Sequence, residues 1–363
     1  MRILAVDVGT GTQDILAFDS TLDITNCPKL VMPSPTAILA DKIVSATNRA
    51  TPLLFTGFTM GGGPSKWALK QHLAAGLKAY ATPDAARTFD DDPAELKKMG
   101  IIIVSPDEAS TVRHAESMEL KDIDVAAIGK ALDVFGVTPE FDLVAVAVQD
   151  HGAAPSGTSD RTFRFEHMQH RLAQLDSLLA FTYLHGEVPG YLTRMAGAAG
   201  SLAQEQVLLM DTGFACVMGA QEDTEVSRHE DRTIVNLGNS HTIAFHLHRQ
   251  QVLGMFEHHT RALKSDALDS MLRGLADGSL TNQAVFENGG HGAVVLSSHH
   301  GPHFIAAVGP QRGRISGSTL KPYFAVPYGD MMLSGCYGLV RACSLRFNEW
   351  RQEIEAALAR EPS

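Results

Sequence analysis

The sequence predicts an α/β protein of two domains, and three observations carry that expectation. Strands alternate with helices through the first half of the chain. Its 363 residues are long for one hydrophobic core and comfortable for two. A plan of strand, glycine-polar turn and strand occurs twice, at 3–19 and again at 234–256, so two halves are expected to face each other across a ligand.

Composition narrows the partners. With 44% hydrophobic and 20% charged residues, the chain buries a substantial core and is not a disordered protein. A formal net charge of −11 argues against backbone-driven nucleic-acid binding and against a basic membrane-binding face. It leaves room for a phosphate ligand, because loop amides and a metal ion hold phosphate without a basic surface. The four cysteines, Cys27, Cys216, Cys336 and Cys343, form no C-x-x-C pair and no zinc-like spacing; reduced, mostly buried thiols are expected. The first apolar run is too short for the core of a secretion signal, and no run approaches a membrane span. A cytoplasmic location is the expectation.

Taken in order, Ile3–Val6 reads as a strand ending at Asp7, followed by a turn of Gly9, Thr10, Gly11 and Thr12, and a returning strand at Ile15–Phe18. Leu30–Met32 is a third strand. The segment 37–46 has helical spacing, and 53–57 is a strand. Gly61, Gly62 and Gly63 precede a helix with Pro64 in its first turn, whose apolar face is read as Trp67, Leu73, Leu77 and Tyr80. That glycine loop is either an anion cradle or a tight strand-to-helix turn. The tract Asp90–Asp92 is a solvated loop or helix start, 101–104 a buried strand, 123–135 a helix and 143–148 an apolar strand running into Gln149, Asp150, His151 and Gly152.

A long helix is expected from about Glu166 to Tyr183, and the small residues of 196–203 mark a hinge or a tight helix–helix contact between domains. Strands follow at 207–210 and 233–237, then consecutive antiparallel strands at 243–247 and 252–256. A helix near 266–275, a strand at 304–308, a helix through Leu339 and a helical tail at 353–360 close the chain.

With both hairpins in view, the chain resembles the actin-like ATPase superfamily of sugar and acetate kinases, 70-kDa heat-shock proteins and actin. Asp7-Val-Gly9-Thr10-Gly11-Thr12-Gln13-Asp14 resembles the first phosphate loop of that superfamily. Asn236, Gly238, Asn239, Ser240, His241 and Thr242 resemble the second, with Asn236 where an Asp is usual. Gly309 falls in a strand and turn like those that meet the adenosine, and Gly335 in a segment like the helix after it. Gln149-Asp150-His151-Gly152 is similar to the Gln-x-His-Gly of carbohydrate kinases, and Asp211 stands where their catalytic carboxylate precedes the second loop. The whole pattern also resembles an uncharacterised family within the superfamily, often labelled pyruvate formate-lyase-activating proteins. A radical activase of that kind needs three closely spaced cysteines, and this chain has no such triplet.

The resemblance implies two ribonuclease H-like domains, 1–205 and 206–363, around a cleft holding ATP and Mg²⁺. It implies that Asp7 holds the Mg²⁺ through water and that Asp211 deprotonates a substrate hydroxyl. Asp150 and His151 stand at a strand's carboxyl end, where α/β proteins put chemistry. Each has a plainer reading: turn formers for Asp7 and Asp14, a helix cap for Asp211, a loop-closing pair for Asp150 and His151, and a satisfied histidine for His241. The sixteen histidines include His258, His259, His291, His299, His300 and His303 in the second half; either a transition-metal site or ordinary surface and loop positions account for them. The leading expectation is a sugar-kinase-like phosphotransferase or ATPase acting on a small substrate. The rivals are a nucleotide-gated regulator of a partner enzyme and a degenerate member that binds an anionic ligand without hydrolysis.

Overall fold

A computed structural model describes residues 1–155, 157–298 and 303–360. The first half is built outward from β1 (Arg2–Val8), whose side chains alternate between two cores: Ile3 and Ala5 pack into one, and Leu4, Val6 and Val8 into the other. Both faces are covered, which is why the segment is an unbroken apolar run. β2 (Thr12–Asp19) returns antiparallel with Asp14 opposite Asp7, and β3 (Lys29–Pro33) extends the meander.

The chain then leaves this sheet to make a smaller one. β4 (Leu53–Gly57), β5 (Ala79–Ala81), β6 (Ile101–Ile103) and β7 (Glu116–Leu120) pair in parallel in the order β6-β5-β4-β7. It comes back as β8 (Leu143–Val148), parallel to β1; β9 (Thr182–Leu184) and β10 (Val207–Met210) complete the order β3-β2-β1-β8-β10-β9.

The second large sheet comprises β11 (Asp231–Leu237), β12 (His241–His248), β13 (Gln251–His259), β14 (Gly292–Val295), β15 (Phe304–Val308) and β16 (Tyr323–Phe324), in the order β14-β13-β12-β11-β15-β16. Each large sheet thus contains a three-stranded antiparallel meander whose first strand takes a parallel neighbour on its free side, β8 beside β1 and β15 beside β11. That repeated plan is the ribonuclease H-like arrangement expected from the two hairpins.

Two helices join the halves. Thr212–Ala220 packs against β11 and β15, whereas Ser334–Arg346, near the end of the chain, packs against β1 and β8. They cross in close contact because Gly219 and Gly338 lack side chains: a Cβ on Gly219 would overlap the Ser334 carbonyl, and one on Gly338 the Ala215 carbonyl.

Local readings differ from the structure at four places. The helix expected at 166–183 spans Asp160–Gln174, and a short 3₁₀ turn, Leu178–Phe181, capped by the Ser177 side chain, leads into β9. Trp67 is 72% exposed, and the buried face of its helix is Ser65, Ala68, Leu69 and His72; the helix stops at Ala74, so Leu77 and Tyr80 lie beyond it. β6 is an edge strand, with Ile101 buried and Ile102 and Ile103 exposed. The small residues near 196–203 make a contact between their helix and the loop after β4, both in the first half, rather than between helices of two domains: a Cβ on Gly197 would overlap the Thr59 carbonyl. His299 and His300 lie outside the described residues. Among the described residues, no helix is long and apolar enough to cross a membrane.

Candidate functional site

The two hairpin turns have the same backbone closure. The Gly9 N–H donates to the Thr12 carbonyl at 2.9 Å, and the Gly238 N–H donates to the His241 carbonyl at 3.0 Å. Their tips meet: Thr10 Oγ1 and Ser240 Oγ are 3.2 Å apart, and Gly11 has only a hydrogen to place against the Asn239 amide, where a Cβ would sit 3.1 Å from its nitrogen. Gln311 donates to Asn239 Oδ1 at 3.1 Å. Between the turns lies a cavity of about 100 Å³, bounded by Asp7, Asp14, Asp211, Asn236, Gly309 and Gly335 among others.

Asp7 sits at its floor. Thr212 Oγ1 donates to Asp7 Oδ1 at 2.5 Å, and Gly335 packs so closely on Oδ2 that a Cβ there would overlap it. Burial pushes the Asp7 carboxyl up to about 7, opposed by the Thr212 hydroxyl and reinforced by the charge of Asp211. Burial, then the neighbouring Asp7, pushes Asp14 up to about 8, and Asp14 Oδ1 is buried without a hydrogen bond. Two close carboxyls with too little positive charge between them suit a small divalent cation, which stabilises both as anions.

Asp211 caps the helix Thr212–Ala220 and also faces the cavity. Its Oδ1 accepts the Gly213 N–H at 3.0 Å, and its Oδ2 accepts Arg164 Nη2 at 2.9 Å. Arg164 was not singled out in the sequence, yet it ties three segments together. Its Nε reaches Glu257 Oε2 at 2.8 Å and its Nη1 the Asp150 carbonyl at 2.5 Å. Burial raises the Asp211 carboxyl and Arg164 opposes that rise.

Asp150 realises the loop-closing arrangement. Its two carboxylate oxygens accept the Gly152 N–H at 2.8 Å and the Met195 N–H at 2.9 Å, and burial pushes it up to about 6. Arg194, also missed in the sequence, grips Asp122 with two nitrogens at 2.7 and 2.9 Å and the Gln149 carbonyl at 2.8 Å. The Gly61 N–H bonds Asp122 Oδ1 at 3.1 Å, so the glycine loop is anchored to the same carboxylate. Thr242 alone of the second-loop residues turns into the core, where its hydroxyl meets Thr260 Oγ1 at 3.0 Å.

Beyond the hairpin tips the cavity opens into a wider cleft of about 760 Å³, lined by Gly61–Gly63, Gln149–Gly152, Arg194, His241 and His291 among others. His151, His241 and His291 approach one another there, with ring centres 4.9–5.4 Å apart. The missed residues left one trace in the sequence: Arg164 is a charge among the apolar positions of its helix, beside buried Phe165 and Met168.

A protein-family model described as "Putative pyruvate format-lyase activating enzyme (DUF1786)" matches residues 60–314. No curated protein matches. Solved structures similar to this chain include the activator of the 2-hydroxyisocaproyl-CoA dehydratase from Clostridium difficile with bound ADPNP, at 8% identity and TM-score 0.37, with 100% of each chain covered. The ethanolamine utilization protein EutJ from Carboxydothermus hydrogenoformans matches at 13% identity and TM-score 0.32, covering 93% of this chain and 89% of that one. The ROK hexokinase from Thermus thermophilus matches at 9% identity and TM-score 0.25, covering 70% and 49%.

Proposed function

The chain belongs to the family of that model, and we propose that it works as an ATP- and Mg²⁺-dependent phosphotransferase or ATPase, its nucleotide held between the two hairpins. The observation that carries this reading is the meeting of two matched turns over the Asp7–Asp14 pair. The family's label points elsewhere, but the four cysteines are dispersed and buried, with no triplet to hold an iron–sulfur cluster.

The residues fit the cofactors. The amides of Gly9 to Thr12 and of Gly238 to His241, with the hydroxyls of Thr10, Thr12 and Ser240, offer donors to phosphate oxygens. Asp7 and Asp14 supply the negative charge a Mg²⁺ ion neutralises. When bound, ATP supplies the phosphoryl group and Mg²⁺ screens its charge. Asp211 Oδ1 keeps a lone pair for a substrate proton, while Arg164 holds the carboxylate in place through Oδ2. We place the substrate, a small hydroxylated or carboxylated molecule, in the wider cleft near Gln149–Gly152. Closure of the two halves over the nucleotide would exclude water.

A second reading has its own support. Asp211 is already engaged by Arg164 and Gly213, which suits a regulator that binds ATP, closes, and is read by a partner enzyme. Isothermal titration of ATP, ADP and Mg²⁺ tests the common premise; absence of binding at millimolar nucleotide overturns both readings. Turnover that rises with one small metabolite supports the phosphotransferase, and turnover that answers only to a protein partner supports the regulator.

A further inference from the structure

We propose that His151, His241, Glu257 and His291 form a site for a borderline divalent transition-metal ion, zinc in chemical class, on the substrate side of the cleft and separate from the Asp7 position. One ligand atom from each of the four lies within 4.8 Å of the others. The four come from the loop after β8, the start of β12, β13 and the residue before β14, so no local sequence spacing announces them.

The backbone builds this convergence. β12 and β13 pair with Ile243 opposite Glu257, which brings His241 and Glu257 to the same end of the ribbon. The His291 N–H donates to the Glu257 carbonyl at 2.9 Å, fixing one beside the other. The flanking glycines permit that approach: a Cβ on Gly290 would lie 2.6 Å from His258 and Val285, and one on Gly292 would overlap Asn282 Oδ1.

The hydrogen bonding supplies the second, independent observation. His291 is 2% exposed, yet neither ring nitrogen has a hydrogen-bond partner, and His241 Nδ1 is likewise buried and unbonded. A buried imidazole ordinarily satisfies its nitrogens. Imidazole nitrogens without hydrogen bonds, gathered beside a carboxylate with His291 Nδ1 3.5 Å from Glu257 Oε1, are the donor set of a zinc-type ion. Arg164 on Oε2 and Gln149 on Oε1, at 2.8 and 3.1 Å, orient the carboxylate from behind.

A second cluster, Asp231, His246 and His303, makes the contrast. There His303 spends both nitrogens, on Asp231 Oδ1 at 2.9 Å and Thr233 Oγ1 at 2.7 Å, and His246 spends its Nε2 on Asp231 at 3.3 Å, leaving its Nδ1 as the one unbonded ring nitrogen of the cluster.

The test needs no nucleotide, so it stands or falls apart from the ATP reading. Chain stripped with a chelator is titrated with Co²⁺, followed by visible absorption, and with Zn²⁺, counted by mass spectrometry after dialysis. The expected result is one ion per chain. His151→Ala, His241→Ala and His291→Ala each weaken binding by about tenfold or more, and His303→Ala leaves it unchanged. The more exposed His151 carries the test should H291A not give a cooperative thermal transition. Failure of the wild type to retain either ion, equal binding by the three ligand variants, or loss in H303A overturns the proposal.

Discussion

Thr10 Oγ1 and Ser240 Oγ, 230 positions apart in sequence, meet at 3.2 Å across the cleft. The pair joins the two hairpins at their tips, and in the proposed reading a phosphate chain entering between them would replace this contact with its own oxygens. Thr10→Val should therefore weaken ATP by roughly the value of one hydrogen bond to a charged group, about 1.5–3 kcal/mol. Calorimetry checks it; unchanged affinity would place the phosphates elsewhere.

Asp7 and Asp211 are predicted to divide the work. Asp7→Ala should abolish Mg²⁺-dependent turnover, since it removes the carboxylate at the cavity floor. Asp211→Ala should lower turnover and spare nucleotide affinity. Equal loss of affinity in both variants sinks the role given to Asp211.

Arg164 stands between two buried carboxylates, Asp211 at 2.9 Å and Glu257 at 2.8 Å. Arg164→Met leaves both without their partner and should cost about 3–5 kcal/mol in denaturant unfolding. Adding Glu257→Gln should return part of that loss; no recovery would mean that the arginine acts through packing rather than charge.

Two sets of groups oppose each other in pH dependence. Asp7 and Asp14 stand at about 7 and about 8 in the folded chain against an ordinary 3.8. The folded chain therefore holds more protons than the unfolded one between those values. Their contribution to stability is greatest below the ordinary value and is lost as pH rises towards 8. His241 and His291, near 4 and 3 against an ordinary 6.5, run the other way, and stability falls as pH drops below 6.5. In chelator the two sets offset each other between about pH 4 and 6.5, so the thermal midpoint should change little there and decline from about pH 6.5 to 8. Asp14→Asn should flatten the alkaline arm, and Mg²⁺ should restore more stability at pH 8 than at pH 6. A midpoint that climbs steadily from pH 6.5 to 8 in chelator contradicts the raised carboxyls.

The crossing of the two joining helices should be intolerant of side chains. Gly338→Val should cost about 1–3 kcal/mol or more by forcing the helices apart. Gly313→Ala, at a position with nothing within 4 Å of a Cβ, is the control and should stay within about 0.5 kcal/mol. Chemical denaturation of both variants gives the comparison.

What the sequence revealed and what it hid follow from how local each signal is. The hairpin turns were legible because glycine and threonine chemistry fixes a turn within four residues, and β1 because burial on both faces leaves a continuous apolar run. The small parallel sheet was not recognised as a unit, since β5 and β6 have three residues each and are held by neighbours distant in sequence. Arg164 and Glu257 were missed as a pair because 93 positions separate them and nothing near either announces the other. The histidines were visible as a surplus, but their convergence exists only once four segments are folded together.

The helix Ser334–Arg346 lies under β1, and Gly335 closes against Asp7. β1 is thus completed by a helix that follows it by more than 300 residues. At a synthesis rate of about 5–20 residues per second, β1 waits roughly 20–70 s for it. During that interval the apolar face around Ile3 and Ala5 has no cover from Cys336, Tyr337 and Val340. A nascent chain stopped before residue 334 should accordingly bind chaperones through its first sheet, and release should come only when the helix Ser334–Arg346 has emerged.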